Sequence, residues 1–315
     1  MRQAKGAIFG HFQPGHEKGR FTSKIGRVRS SGLCSKRADS MIPATFLRMT
    51  LLAGAVALGP LTAAEAQAQD TFRARYSVKL IGLALGTASL NGTFEPGSYQ
   101  MEATARLAGV ATMVSNSKGA ATASGVFLQG KVAPNGFATT AANSTTTRTV
   151  RIALKQGNVT ASEISPPFDE LPGRVPVLEL HKQKVIDPLS ALVMPVPGED
   201  SVMGPAACNR SIPVYDGWAR FNINLSFVGL RQVKAKGYEG PVAVCNARYI
   251  PVAGHRPDRP GTKFMENNKQ MEVWLVPVGE SRITVPFRIS VATMIGTTVI
   301  EATDFEATAG TRASR

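Results

Sequence analysis

A mainly β fold, laid out as a curved antiparallel sheet or half-barrel with one short helix, is what this sequence predicts. Three observations carry that expectation. Apolar and polar side chains alternate with a period of two in one segment after another, as in strands with one buried face. Glycine, asparagine and proline separate those segments at turn spacing. Neither heptads nor a repeat of fixed period run through the chain.

The first element is expected to be discarded. The apolar run Met49 to Gly59 is about half the roughly 20 residues needed to cross a bilayer, and Pro60 with a set of small residues comes after it. Arg48 stands before the run and Ala66-Gln67-Ala68 behind it. Charge, apolar core and small-x-small cleavage site therefore come in the order of a secretory signal. Residues 1–68 are read as leader and signal peptide, cleaved after Ala68, with Ala64-Glu65-Ala66 as the other candidate site and Met41 as an alternative start. No cysteine lies at that junction for lipid attachment, so the mature chain is expected to be soluble and without a transmembrane anchor. Export to the periplasm of a Gram-negative envelope is the expected localisation.

The strands come next along the chain. In "TFRARYSVKL" Phe72, Ala74, Tyr76, Val78 and Leu80 alternate with polar neighbours. In "IGLALGTASLNGTF" Gly82, Gly86 and Gly92 suggest a bent or bulged second strand. "YQMEATARL" alternates again, placing Tyr99, Met101, Ala103, Ala105 and Leu107 on one face, so the three form an antiparallel meander. Residues 109–170 continue with small, Thr-rich strands. They suit a sheet edge, a threonine-covered solvent face, or a lining that leaves space inside, and the pattern does not choose among these.

Between 166 and 200 seven prolines interrupt the alternation, from Pro166 to Pro197. Inside that passage "DPLSALVM" offers Asp187 as N-cap and Pro188 as first helical residue, which places the one short helix near 187–195. In "IPVYDGWARFNINLSFV", Asp216-Gly217 between apolar runs favours a tight primed turn, and Phe221, Ile223, Leu225 and Phe227 then share a face. "GPVAVCNARYIPVAG", "MEVWLVPV", "RITVPFRISVAT" and "TTVIEATDF" complete the sheet, with Pro277 and Pro286 implying edges or bends. Residues 69–315 are read as a single β-rich domain with the Pro-rich passage at 166–200 inside it.

Composition narrows the function classes. Without the leader 247 residues remain, carrying 26 basic and 19 acidic side chains, a net charge of +7 against +14 for the whole chain. That balance suits anionic surfaces such as lipid head groups and lacks the focused basic stripe of a nucleic-acid binder. Cys34 leaves with the leader, so Cys208 and Cys245 form an even pair in an oxidising compartment and are read as one disulfide. His181 and His255 lack Cys, His or carboxylate partners at ligand spacing. No metal site and no cofactor are expected.

The motifs of familiar enzymes are missing: no G-x-S-x-G elbow, no phosphate-cradling G-x-x-x-x-G-K-[ST] loop and no H-E-x-x-H helix. Three candidates are scattered along the chain. His255 has Arg256, Asp258 and Arg259 near it, which would suit an anionic ligand or orient a general base. Asp169 and Glu170 are adjacent, but neighbours on an extended chain face opposite ways. Asp216 is read as turn chemistry. No catalytic residue is assigned. Clean alternation, aromatic residues and glycine bends would also build a curved sheet around an apolar cavity, and the same features fit a fully packed sandwich.

Taken in order, "RYSVKLIGLALGTASL", "DPLSAL", "IPVYDGWARFNINLSF" and "CNARYIPVAGH" resemble the bacterial exported family catalogued as domain of unknown function 3108, from about Phe72 to Phe305. The resemblance implies a periplasmic, predominantly antiparallel β protein whose curved sheet is similar in outline to lipoprotein carriers of the envelope. It supplies no catalytic residues. The expected function is non-enzymatic binding of a lipid-like or other apolar ligand in envelope maintenance. The alternatives are a structural module that binds another envelope protein through strand edges, and a hydrolase using His255.

Overall fold

The computed structural model describes residues 69–109, 112, 116–199 and 201–310, so the expected signal peptide lies outside the described residues. The described strands are β1 (Asp70–Leu80), β2 (Leu83–Glu95), β3 (Ser98–Leu107), β4 (Lys118–Leu128), β5 (Lys131–Ala142), β6 (Thr147–Lys155) and β7 (Asn158–Ser165), then β8 (Met194–Pro195), β9 (Arg210–Tyr215), β10 (Arg220–Ala235), β11 (Tyr238–Ala253), β12 (Met271–Pro277), β13 (Ile283–Thr293) and β14 (Gly296–Thr308). They form one open sheet in the order 7-6-5-4-3-2-1-14-13-12-11-10-9, with β8 paired to β13. Two meanders are thus joined where β1 pairs antiparallel with β14, from Thr71 opposite Thr308 to Leu80 opposite Thr298.

The alternation read in the sequence is the alternation of burial. Phe72, Ala74 and Tyr76 of β1, Leu90 and Phe94 of β2, and Tyr99 and Met101 of β3 all point into one core, which they share with Val285 and Phe287 of β13 and Phe305 of β14. Each such large side chain contributes roughly 1.5–3 kcal/mol by leaving water. Gly92 belongs to this packing, because a Cβ there would lie 2.3 Å from Cε1 of Phe72. The predicted bend in β2 is a register shift opposite Val78 and Lys79. A second core gathers Ile212, Val214, Leu225, Ala243, Val273 and Leu275 around the Cys208–Cys245 disulfide, whose Cα atoms are 5.5 Å apart.

The small-residue strands combine two of the readings left open. Their outward threonines face solvent, and the hydroxyls of Thr140 and Thr149 on β5 and β6 pair at 3.1 Å. Inward, Ala103 and Ala121 stop short of the middle, and the space is filled by the Pro-rich passage, which runs as a strap through the interior. Val185, Asp187 and Ser190 of that strap have no exposure at all.

The strap also links the two open edges. The Val185 amide donates to the Gly157 carbonyl in the β6–β7 turn at 2.7 Å, and the Ile186 amide to Pro213 of β9 at 2.8 Å. No α-helix forms near 187–195. Asp187 does cap, accepting the amides of Leu189 at 3.0 Å and Ser190 at 2.8 Å, but the cap leads only into a single 3-10 turn, Ser190–Leu192. The strap must pass straight on to pair Met194 and Pro195 with β13, which leaves no length for helical turns. Two short helices that the pattern did not announce are present, α1 (Pro205–Cys208) and α2 (Pro260–Asn267).

Pro286 bends its strand without being at an edge. It sits in β13 at a register shift between Trp274 and Leu275 of β12, and its carbonyl accepts the Tyr76 hydroxyl at 2.7 Å. The β9–β10 turn is tight, with Gly217 at φ +95°. Asp216 and Ala219 flank it, joined by the Asp216 amide donating to the Ala219 carbonyl at 3.2 Å. The central pair is therefore Gly217-Trp218, one residue beyond the expected one, with glycine at the first central position as a primed turn of that kind requires.

Candidate functional site

Of three arrangements in the fold that could hold a ligand or do chemistry, the first lies in the interior. The Tyr99 hydroxyl donates to Oγ of Ser190 at 2.7 Å, and Ser190 in turn helps to hold down the pKa of Asp187. Burial nevertheless pushes the Asp187 carboxyl up, and its Oδ2 has no hydrogen-bond partner. The same burial raises the Tyr99 phenol. This buried series of polar groups fastens the strap to β3.

At the upper end, where β9 runs into β10, cations and aromatics stack. Arg148 lies 4.0 Å over the Phe168 ring, Phe168 packs at 4.6 Å from Trp218, and Arg174 lies 3.5 Å over Trp218. Arg174 also donates to the carbonyls of Trp218 and Gly254. Asp216 is turn chemistry, as expected: its carboxylate takes the amides of Trp218 at 2.8 Å and Ala219 at 2.6 Å. The stack draws the loop after β7 onto the β9–β10 turn and holds the sheet edges together.

His255 comes after β11 in the same neighbourhood. Its Nδ1 is buried without a hydrogen-bond partner. Burial lowers its pKa and Glu266 opposes that. Arg256 is occupied with Asp258 at 3.4 Å, and Arg259 stands at the start of α2. The expected cluster is therefore a local ion pair beside a histidine, with no hydroxyl or thiol presented to Nδ1. Asp169 and Glu170 are both exposed. His181 Nδ1 accepts the Leu178 amide at 3.1 Å. Among the described residues no three His, Cys, Asp or Glu side chains gather as a metal ion would need.

The third arrangement is a hollow that sequence reasoning missed. At the lower end, the β2–β3, β4–β5 and β12–β13 turns meet the end of the strap around a pocket of about 500 Å³. Its walls are apolar: Phe94, Phe127, Val196 and Ile283, with prolines 96, 195 and 197. Phe94 stacks on Phe72 at 6.0 Å and Phe127 lies 6.4 Å from Phe94, so the floor continues into the aromatic core. Asp70, Glu95 and Arg282 are the charged residues of the pocket lining. Arg282 is held in place by donating to the Val196 carbonyl at 3.2 Å, while the Val196 amide donates back to Arg282 at 2.7 Å. An apolar hollow of this size with a few fixed polar groups is the ordinary form of a small-ligand site. The four elements that build it come together only in the folded sheet, and no local signal announces it.

Residues 71–303 match a family described as "Protein of unknown function (DUF3108)". The chain belongs to the DUF3108 family. Among solved structures this DUF3108 protein is similar to a "beta-barrel-like protein of domain of unknown function DUF1849" from Brucella abortus. The two are 10% identical, the likeness covers 76% of this chain and 98% of that one, and the TM-score is 0.45. No curated protein matches.

Among the described residues of the DUF3108 protein another hollow is an outer trough of about 600 Å³ crossing β3 to β7. Arg151 and Glu163 on its wall pair with each other at 3.6 Å. The trough is more open than the lower mouth and is lined by Glu102, Arg151 and Glu163 as well as apolar residues. Among the described residues no helix is long and apolar enough to cross a membrane.

Proposed function

We propose that this DUF3108 protein is exported to the periplasm, where it binds a lipid-like or other apolar group without turning it over, in the upkeep of the envelope. The lower mouth carries the proposal. Its apolar walls suit an acyl or similar tail, and Arg282 beside Asp70 and Glu95 suits a polar head. The Cys208–Cys245 disulfide supports an oxidising compartment. Elsewhere the concave side is filled by the chain's own strap and aromatic core, which directs the ligand to the mouth.

Native mass spectrometry of gently purified protein tests the binding. A bound lipid mass is expected, together with its loss when Ile283→Trp fills the pocket. Ligand-free spectra from repeated preparations, with no uptake of a fluorescent fatty-acyl probe, would defeat the reading. Cell fractionation with thiol alkylation tests the export, since the chain should be periplasmic with neither Cys208 nor Cys245 alkylated.

One observation favours the second reading, a partner-binding module. β7 has a single strand neighbour, β6, which leaves a template for strand addition. Cross-linking in cells separates the two: a ligand carrier traps lipid, and a module traps one dominant polypeptide at β7.

A further inference from the structure

The upper end of the sheet, opposite the mouth, presents apolar side chains that the fold does not use. Ile81 and Leu83 at the β1–β2 tip are each 68% exposed, and Met294 and Ile295 at the β13–β14 tip are 61% and 49% exposed. The two tips are neighbours. The Ile81 amide donates to the Thr297 carbonyl at 3.0 Å, and the Ile81 side chain lies over Gly296. Ile81 also has φ +50°, a left-handed conformation in which a β-branched residue is strained. Asparagine or glycine would suit that backbone better, and burial gives isoleucine no compensating gain there. An apolar cluster kept against both exposure and strain points to a surface it meets.

Charge says which surface. Arg106 of β3 stands directly opposite Lys118 of β4, a like-charged cross-strand pair that costs stability. Lys79 of β1 lies on the same outer face. Among the described residues none of the three has an ion-pair partner. Between Lys79 and Gly86, between Arg106 and Lys118, and between Thr293 and Thr298 the sequence holds no Asp or Glu, and Glu301 further along β14 is taken by Arg288 at 2.8 Å. A bilayer with anionic head groups meets both features, since it takes apolar tips at its interface and cations at its surface.

We propose that this rim docks the protein end-on to an anionic membrane surface, with Ile81, Leu83, Met294 and Ile295 entering the interface and Lys79, Arg106 and Lys118 meeting head-group phosphates. Docked in this way, the mouth at the other end faces away from the bilayer. The inference is independent of the ligand proposal, and Ile283→Trp at the mouth leaves docking unchanged.

The test is sedimentation of the chain from Gln69 onward, which contains every element described, with vesicles of phosphatidylcholine alone or mixed with phosphatidylglycerol. Binding to the mixed vesicles is expected. It should fall more than about tenfold when Ile81→Asn, Leu83→Ser, Met294→Ser and Ile295→Ser are combined. With Arg106→Gln and Lys118→Gln it should fall about tenfold on mixed vesicles, with little change on neutral ones. The single variant Ile295→Trp, which needs no change in the fold, should show a blue-shifted emission on mixed vesicles. No sedimentation with either vesicle, no shift for Ile295→Trp, or full binding by a folded tip variant would overturn the proposal. So would a dimer of the native chain that the tip variant dissolves, because the cluster would then join two copies.

Discussion

The hydroxyls of Tyr99 and Ser190, 91 positions apart in the chain, meet at 2.7 Å inside the sheet. That bond ties the strap to β3 where both residues are buried. Removing the Ser190 hydroxyl takes away the partner of the buried Tyr99 phenol, and removing the Tyr99 hydroxyl leaves Ser190 with its contact to Asp187 alone. Tyr99→Phe and Ser190→Ala should each cost about 1–3 kcal/mol in chemical denaturation, while the double variant should cost less than their sum. Strict additivity would mean that the bond contributes nothing.

Asp187 lies beside this pair and gives the protein a pH dependence. Burial raises its folded-state pKa above the unfolded value. The native state therefore keeps a proton that the unfolded chain releases, and this group's contribution to stability declines as pH rises from roughly 4. Below the unfolded pKa it imposes no penalty. Asp187→Asn keeps an oxygen for the Leu189 and Ser190 amides and does not titrate. Its melting temperature relative to the native chain should rise with pH above about 4 and level off once the folded-state pKa is passed. A pH-independent difference would remove Asp187 as the source.

The Cys208–Cys245 bond closes a loop of 37 positions and joins α1 to β11. Reducing it, or replacing both cysteines with alanine, should lower stability by about 2–4 kcal/mol on the loop-entropy account. Equilibrium unfolding with and without reductant measures this. An unchanged midpoint would show that the second core holds that segment unaided.

Most of the strands were legible from neighbours in the chain. Phe72, Ala74 and Tyr76, or Tyr99 and Met101, face the core because side chains two apart share a side of any strand, and that rule needs no knowledge of the partner strand. The Asp187 cap was legible for the same reason, although the helix expected after it shrank to one 3-10 turn. Pairing of Cys208 with Cys245 followed from the expected loss of Cys34 with the leader, which leaves those two cysteines alone. Of the sites, His255 and Asp216 were visible as residues, but their surroundings were not.

What the sequence determined by itself is the β class, the succession of hairpins and the family, since each rests on patterns carried within a few residues. Tertiary structure alone decided that β1 and β14 join the two meanders, that the proline passage becomes a strap filling the interior, and that a mouth opens where three distant turns converge on the end of that strap. Those outcomes depend on which surfaces meet once loops far longer than a hairpin turn are closed, such as the 91 positions between Tyr99 and Ser190, and no local periodicity specifies a partner at that distance.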